Sequence, residues 1–96
     1  ALAQPQQLDT VTRELLLALQ VDGQAEVRSN CAWGLGRLHP VLASGEQQEL
    51  VHGLLQTLLN DNDFGVRQDA RSALEQLGDG DVLAKLQTLV EDGLIA

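Results

Sequence analysis

The chain has 96 residues, of which 44% are apolar, and its fourteen acidic and six basic residues give a formal net charge of −8. This length suits a single domain. The negative charge disfavours binding to nucleic-acid phosphates or to an anionic membrane, whereas a basic protein partner is compatible with it. The single cysteine excludes an internal disulfide and a cysteine zinc site, so we expect an intracellular, reducing compartment such as the cytoplasm.

Residue types and their spacing predict an all-α protein of five helices. Leu is the dominant residue, with Ala, Gln and Glu beside it, and all four favour helix formation. Pro40 ends the second helix because the residue before a proline avoids helical dihedral angles. Ser44, with Gln47 three residues later, has the spacing of a capping box, and Gly78 has the position of a C-terminal capping glycine. The predicted helices span, in chain order, about 7–20, 25–38, 45–60, 64–77 and 80–92.

The chain contains an internal repeat with an offset of 39 residues. This offset aligns Asp22 with Asp61 and 27–28 with 66–67, a Val-Arg pair in both places, together with several helically spaced leucines. A second offset, of 31 residues, aligns 55–61 with 86–92. One helical hairpin cannot bury its apolar face alone, so repeated hairpins are expected to stack. We predict a single domain over 1–96 that is a fragment of a longer solenoid. Its repeats lie at about 8–38 and 46–77, with a partial third repeat at about 80–96.

The repeated segment is similar to a known family pattern. In 66–78, the Val66-Arg67 pair is followed by Ala70 and Leu74. This pattern resembles HEAT repeats, and the resemblance extends from about Leu8 to Asp92. It implies an α-solenoid of about two and a half repeats, made of stacked antiparallel helical hairpins. Since such repeats serve many proteins as scaffolds, it also implies a protein or peptide partner.

The resemblance assigns a structural role to residues at the hairpin turns. In HEAT repeats, the turn Asp and an Arg of the second helix usually form a ladder of hydrogen bonds and ion pairs along the stack. The ladder residues carried over to this chain are Asp22, Arg28, Asp61 and Arg67, with Asp92 as the next rung. The first repeat departs from the pattern with Cys31 in place of a small alanine, and with Gly34 and Gly36 inside its second helix. Each glycine costs about 1 kcal/mol relative to alanine, so the pair either permits a close helix contact or marks a weak point.

Trp33 is the candidate anchor of a partner-binding surface. At 100° per residue, it lies about 145° from the centre of the predicted inward stripe of the second helix. The resemblance implies that second helices line the concave side of the stack, and exposed Trp and Arg side chains are favoured interface anchors. The alternative is that Trp33 packs on the N-terminal segment or on a preceding repeat. The candidate surface comprises Asn30, Trp33 and Arg37, followed in the next repeat by Asp69, Ser72 and Gln76.

No residue pattern indicates catalysis, a cofactor or a metal. His39 precedes Pro40 and His52 precedes Gly53, so the His-Glu pairs of iron-binding HEAT-like enzymes are missing. Cys31 occupies an inward position, where a thiol is an inert small apolar group. The acidic cluster around Asp61 lacks the glycine and the closing glutamate of a calcium loop. The interaction scaffold is therefore favoured, and the alternative is a HEAT-like lyase or an enzyme accessory subunit.

Overall fold

The computed structural model describes the backbone of residues 5–96 and the side chains from residue 8 onward. Within this range all regular structure is helical, as the sequence predicts. A short 3₁₀ turn, His39–Val41, follows the second helix and accounts for the longer spacing between the first two repeats. The helices are α1 (Pro5–Val21), α2 (Ala25–Leu38), α3 (Ser44–Asn60), α4 (Phe64–Gln76) and α5 (Gly80–Glu91).

Aspartate side chains start the last two helices. Asp63 Oδ1 accepts a hydrogen bond of 3.0 Å from the amide of Val66. Asp79 Oδ1 accepts hydrogen bonds from the amides of Asp81 and Val82 at 2.9 and 3.1 Å. These bonds satisfy amides that have no partner inside the helix. After α4, Gly78 adopts a φ of +68°, a conformation that glycine tolerates best, so the predicted capping glycine is confirmed.

The predicted capping box at Ser44 is wrong. The capping position is Ala43, which makes no side-chain hydrogen bond, and Ser44 is already the first helical residue. Gln47 Nε2 instead donates a 2.7 Å hydrogen bond to the carbonyl of His39. The 3₁₀ turn brings this carbonyl within reach of α3, so Gln47 ties α3 to the end of α2.

The helices form two layers of stacked hairpins. The first helices, α1 and α3, pack side by side, the second helices, α2 and α4, do the same, and each hairpin packs its own two helices together. α5 continues the stack mainly against α4. The layers enclose one apolar core, in which Leu19, Leu35, Leu50, Leu54 and Leu74 are completely buried. The chain is therefore an all-α solenoid.

Two glycines lie at contacts between neighbouring helices. A Cβ added to Gly36 on α2 would lie 3.4 Å from Ala73 Cβ on α4. A Cβ added to Gly53 on α3 would lie only 2.6 Å from Leu16 Cδ2 on α1. Of the two interpretations open for Gly36, the geometry supports close helix contact. No local sequence pattern indicates the contact at Gly53.

Candidate partner-binding surface and turn ladder

One side of α2 is open to solvent along its whole length. Cys31, Ala32 and Leu35 are buried on the opposite side. The open side carries residues spaced four, three and four apart, which places them on one helix face. These exposed residues, here called the α2 stripe, are Glu26, Asn30, Trp33 and Arg37.

Trp33 lies in the middle of this stripe with 37% of its surface exposed. The structure thus places the three α2 members of the predicted surface on one open face. Glu26 belongs to the same face and was missed by the sequence analysis. The spacing from Glu26 to Trp33, two helical turns, could have identified it. The stripe therefore carries an acid near one end and a base near the other.

The matching residues on α4 are less open. Asp69 and Ser72 are half-buried, and Gln76 is exposed. α4 packs against three other α-helices, α2, α3 and α5, whereas α2 packs against the α-helices α1 and α4 and the 3₁₀ turn. Gly36 meets Ala73 where the two helices approach, so their chain neighbours Arg37 and Ser72 lie on adjacent helices at the same level. No hydrogen bond or ion pair joins the two groups in the described part of the chain.

A buried ion pair connects the two hairpin turns. Arg28 Nε and Nη2 donate to the two carboxylate oxygens of Asp61 at 2.9 and 3.2 Å. The side chains of Arg28 and Asp61 are only 11% and 8% exposed. Arg28 extends from the first repeat to the second, and its planar guanidinium binds the carboxylate with two parallel hydrogen bonds. The structure thereby brings together two of the residues assigned to the ladder.

The two turns also share a set of backbone contacts. Arg28 Nη1 donates to the carbonyl of Asp22 at 2.8 Å, and Arg67 Nη1 donates to the carbonyl of Asp61 at 2.6 Å. In both turns, the Asp Oδ1 accepts a hydrogen bond from the amide two residues later, at 2.8 Å from Gln24 and 2.9 Å from Asp63. Such bonds fix the turn conformation. The 39-residue repeat in sequence is therefore also a repeat in geometry.

Electrostatics in the ladder follow from this geometry. Burial alone would raise the pKa of Asp61. The hydrogen bonds from Arg28 and from the amide of Asp63, with the charges of Arg28 and Arg67, nevertheless hold this pKa below its usual value. The hydrogen bond to Asp61 raises the pKa of Arg28 further. Both partners are therefore fully charged at neutral pH.

The expectation that Asp92 supplies the next rung is wrong for this structure. Among the described residues, no ion pair joins Arg67 to Asp92, and the Arg67 guanidinium instead lies 5.7 Å from the centre of the Phe64 ring. The chain turns differently at the end of α5 than at the end of α3. Asp61 is extended, with ψ of 137°, whereas Asp92 remains helical and Gly93 follows with a φ of +76°. The amides of Gly93 and Leu94 then bond to the carbonyls of Val90 and Leu89, which is a Schellman ending.

The two histidines considered for chemistry border one open groove, which Cys31 does not line. Cys31 is 5% exposed, and burial raises the pKa of its thiol, which disfavours the nucleophilic thiolate. His39 and His52 border an open groove that Asp79 and Asp81 also line. No group of three or more His, Cys, Asp or Glu side chains in the described part of the chain could hold a metal ion. None of the helices in that part is long and apolar enough to span a bilayer.

Fold and turns together define a helical-repeat protein of the α-solenoid class. A family model of HEAT repeats matches residues 12–94, and the chain belongs to this family. Proteins of the family are generally interaction scaffolds and are typically non-catalytic. No curated protein and no solved structure matches the chain significantly.

Proposed function

We propose that this protein is an interaction scaffold that binds a protein or peptide partner along the second-helix face, with Trp33 as the anchor. The observation that carries the proposal is the exposure of Trp33, 37%, in the middle of the polar α2 stripe. A large aromatic side chain that the fold leaves partly open offers apolar area at a low conformational cost. Residues of this type dominate binding energy at protein interfaces.

The neighbours of Trp33 favour a partner with a particular charge pattern. Glu26 is exposed on the α2 stripe and Asp69 is half-buried on α4, while the whole chain carries a net charge of −8. A peptide with an apolar side chain for Trp33, a basic residue on the Glu26 side and an acidic residue on the Arg37 side complements this surface. Charge complementarity mainly accelerates association and selects partners. The contact area around Trp33 supplies the affinity.

The proposal is tested with peptides selected from a random library against the whole protein. Trp33→Ala should weaken binding by about 30-fold, because truncating an interface anchor costs about 2 kcal/mol. Leu83→Ala is the matched control, since Leu83 on α5 is 43% exposed and lies outside the surface. This control should change the Kd by less than about twofold. Fluorescence polarisation of labelled peptides measures both values.

The exposure of Trp33 is tested without any partner. Because Trp33 is the only tryptophan, the fluorescence of the protein reports on this side chain alone. Its emission should be red-shifted and readily quenched by iodide.

Peptide titration should shift the Trp33 indole resonance in a ¹⁵N spectrum before any other signal. Equal losses of affinity in Trp33→Ala and Leu83→Ala, or peptide shifts confined to other helices, would refute the anchor.

A further inference from the structure

An open groove lies between α3 and α5. α1 packs directly against α3, whereas α5 packs mainly against α4 and makes no extensive contact with α3 among the described residues. The groove has a volume of about 370 Å³, and its walls are the 3₁₀ turn, α3 and the first turn of α5. None of the residues of the α2 stripe lines it. It is therefore a second surface, separate from the one that carries Trp33.

A single methyl group distinguishes this gap from the close contact between α1 and α3. The two repeat offsets make Leu55 the equivalent of Leu16, and Ala84 the equivalent of Gly53. A Cβ added to Gly53 would lie only 2.6 Å from Leu16 Cδ2. Because Ala84 carries the Cβ that Gly53 lacks, the same close approach is not open to α3 and α5. Leu55 therefore lines a groove at this point.

Apolar side chains from both helices line the groove. Val51 and Leu55 on α3 are half-buried, and Val82 on α5 is 7% exposed. Val51 and Leu55 lie one helical turn apart and so share one face of α3. An aliphatic side chain placed between this face and α5 would remove their remaining apolar surface from water, which is favourable.

Two aspartates line the α5 side of the groove without a basic partner. Asp79 Oδ1 accepts hydrogen bonds from two amides in the first turn of α5, and its second oxygen has no hydrogen bond within the described residues. Neither Asp79 nor Asp81 forms an ion pair in that part of the chain. The rest of the polar lining consists of His39, His52 and uncharged amide and hydroxyl side chains, with no lysine or arginine. The groove thus offers two carboxylates beside an apolar surface.

We propose that this groove binds an exposed segment of another protein in which an arginine stands next to a leucine or another aliphatic residue. The aliphatic side chain packs on Val51 and Leu55, and the arginine binds the carboxylates of Asp79 and Asp81. Arginine suits this site better than lysine, because its planar guanidinium donates two parallel hydrogen bonds to a carboxylate. A peptide segment suits an open groove better than a free small molecule, which normally needs about 70–90% of its surface buried.

The test uses the whole protein and three labelled peptides at pH 7.5, with fluorescence polarisation to measure Kd. A peptide with the core arginine–leucine–arginine should bind and should shift ¹⁵N amide signals in α3 and in the first turn of α5. A peptide with arginine–glycine–arginine should bind at least roughly fivefold more weakly, because it lacks the apolar group. A peptide with glutamate–leucine–glutamate should not bind, since its charges repel the two aspartates.

Variants of the protein test the two carboxylates. Asp79→Asn combined with Asp81→Asn removes both charges and keeps the cap of α5, because asparagine caps a helix as well as aspartate does. It should weaken arginine–leucine–arginine binding by at least roughly tenfold. The matched control, Glu91→Gln combined with Asp92→Asn, removes two charges from the other end of α5 and should change the Kd by less than about twofold. Gln48→Lys places a cation at an exposed position in the groove and should also weaken binding.

Circular dichroism verifies that each variant is folded. Absence of arginine–leucine–arginine binding, or equal losses in the two double variants, would overturn the proposal. The second result would mean that the peptide responds only to the net charge of the protein. Equal affinity of the leucine and glycine peptides would overturn it as well. Trp33→Ala should leave the affinity unchanged, and a loss there would place the peptide on the α2 stripe instead of in the groove.

Discussion

At the scale of single residues, Arg28 and Arg67 occupy the same repeat position but have different surroundings. Arg28 binds Asp61 with two hydrogen bonds and the Asp22 carbonyl with a third. Arg67 bonds to the Asp61 carbonyl and lies over an exposed Phe64 ring. Only the Arg28 contact joins the side chains of two hairpins. Equivalent positions in the two repeats can therefore contribute unequally to stability.

This difference predicts unequal effects of alanine substitution. Arg28→Ala should lower Tm by roughly 5–10 °C, because it leaves the buried carboxylate of Asp61 without its partner. Arg67→Ala should lower Tm by less than about half as much. Differential scanning calorimetry of both variants measures the two shifts. An equal or larger shift for Arg67→Ala would show that the pair joining the hairpins does not dominate the ladder.

The pKa of Asp61 predicts how stability depends on pH. Since its pKa is lowered in the folded state, the unfolded chain binds a proton more readily. The stabilisation that ionised Asp61 contributes to the folded state is therefore complete above the ordinary Asp pKa of about 3.9. It is lost as pH falls through the lower folded-state value. Asp61→Asn should flatten the plot of unfolding free energy against pH in this acidic range.

The control for this prediction removes the group that holds the pKa down. In an Arg28→Met background, Asp61→Asn should change the acidic slope much less than it does in the original protein. Urea unfolding at closely spaced pH values gives the slopes. An unchanged slope in Asp61→Asn itself would mean that other carboxylates account for acid unfolding.

At the scale of helices, the glycines show where packing overrides helix propensity. Gly53 lies in the middle of α3, where alanine would gain about 1 kcal/mol of helix propensity. Its added methyl group would, however, lie 2.6 Å from Leu16 Cδ2. Overpacking of this kind costs about 1–3 kcal/mol. Gly53→Ala should therefore reduce the unfolding free energy by up to about 2 kcal/mol, measured by urea denaturation.

Gly45 provides the matched control in the same helix. A Cβ added there meets nothing within 4 Å, so Gly45→Ala should be neutral or stabilising by less than about 1 kcal/mol. Leu16→Val should recover part of the loss in Gly53→Ala by shortening the opposing side chain. If Gly53→Ala is as stable as Gly45→Ala, then Leu16 moves aside freely and α1 and α3 are not held closely together.

Local sequence signals gave the helices correctly and failed where tertiary contacts intervene. Residue spacing predicted α2 with its observed bounds, because the apolar stripe acts within the helix itself. The reason given for Pro40 was wrong, since His39 before the proline keeps helical dihedral angles and the chain continues into the 3₁₀ turn. The cap at Ser44 was wrong because the 3₁₀ turn supplies a carbonyl that Gln47 prefers. The role of Asp92 was wrong because Gly93 changes the turn. The contact between Gly53 and Leu16 joins residues 37 positions apart in the chain. A local sequence pattern does not indicate contacts between residues so far apart.

At the scale of the whole molecule, stability should be unevenly distributed along the stack. In a solenoid each unit is stabilised by its own packing and by its immediate neighbours. α4 packs against α2, α3 and α5, and α3 packs against α1 and α4, whereas α5 packs mainly against α4. Only Val82, Leu86 and Leu89 of α5 are buried. This arrangement predicts that α5 opens more readily than the hairpin before it.

Native-state hydrogen exchange tests this gradient residue by residue. Amides of α5 should exchange at least roughly tenfold faster than those of α3, because local opening is easiest where few apolar contacts are broken. Leu86→Ala should accelerate α5 exchange further and leave α1 and α2 nearly unchanged, since α5 makes no extensive contact with that hairpin among the described residues. Leu35→Ala, in the core between the layers, should instead accelerate exchange in every helix by destabilising the whole fold. Equal protection of α5 and α3 would contradict the gradient. The stack would then unfold as one cooperative unit from end to end.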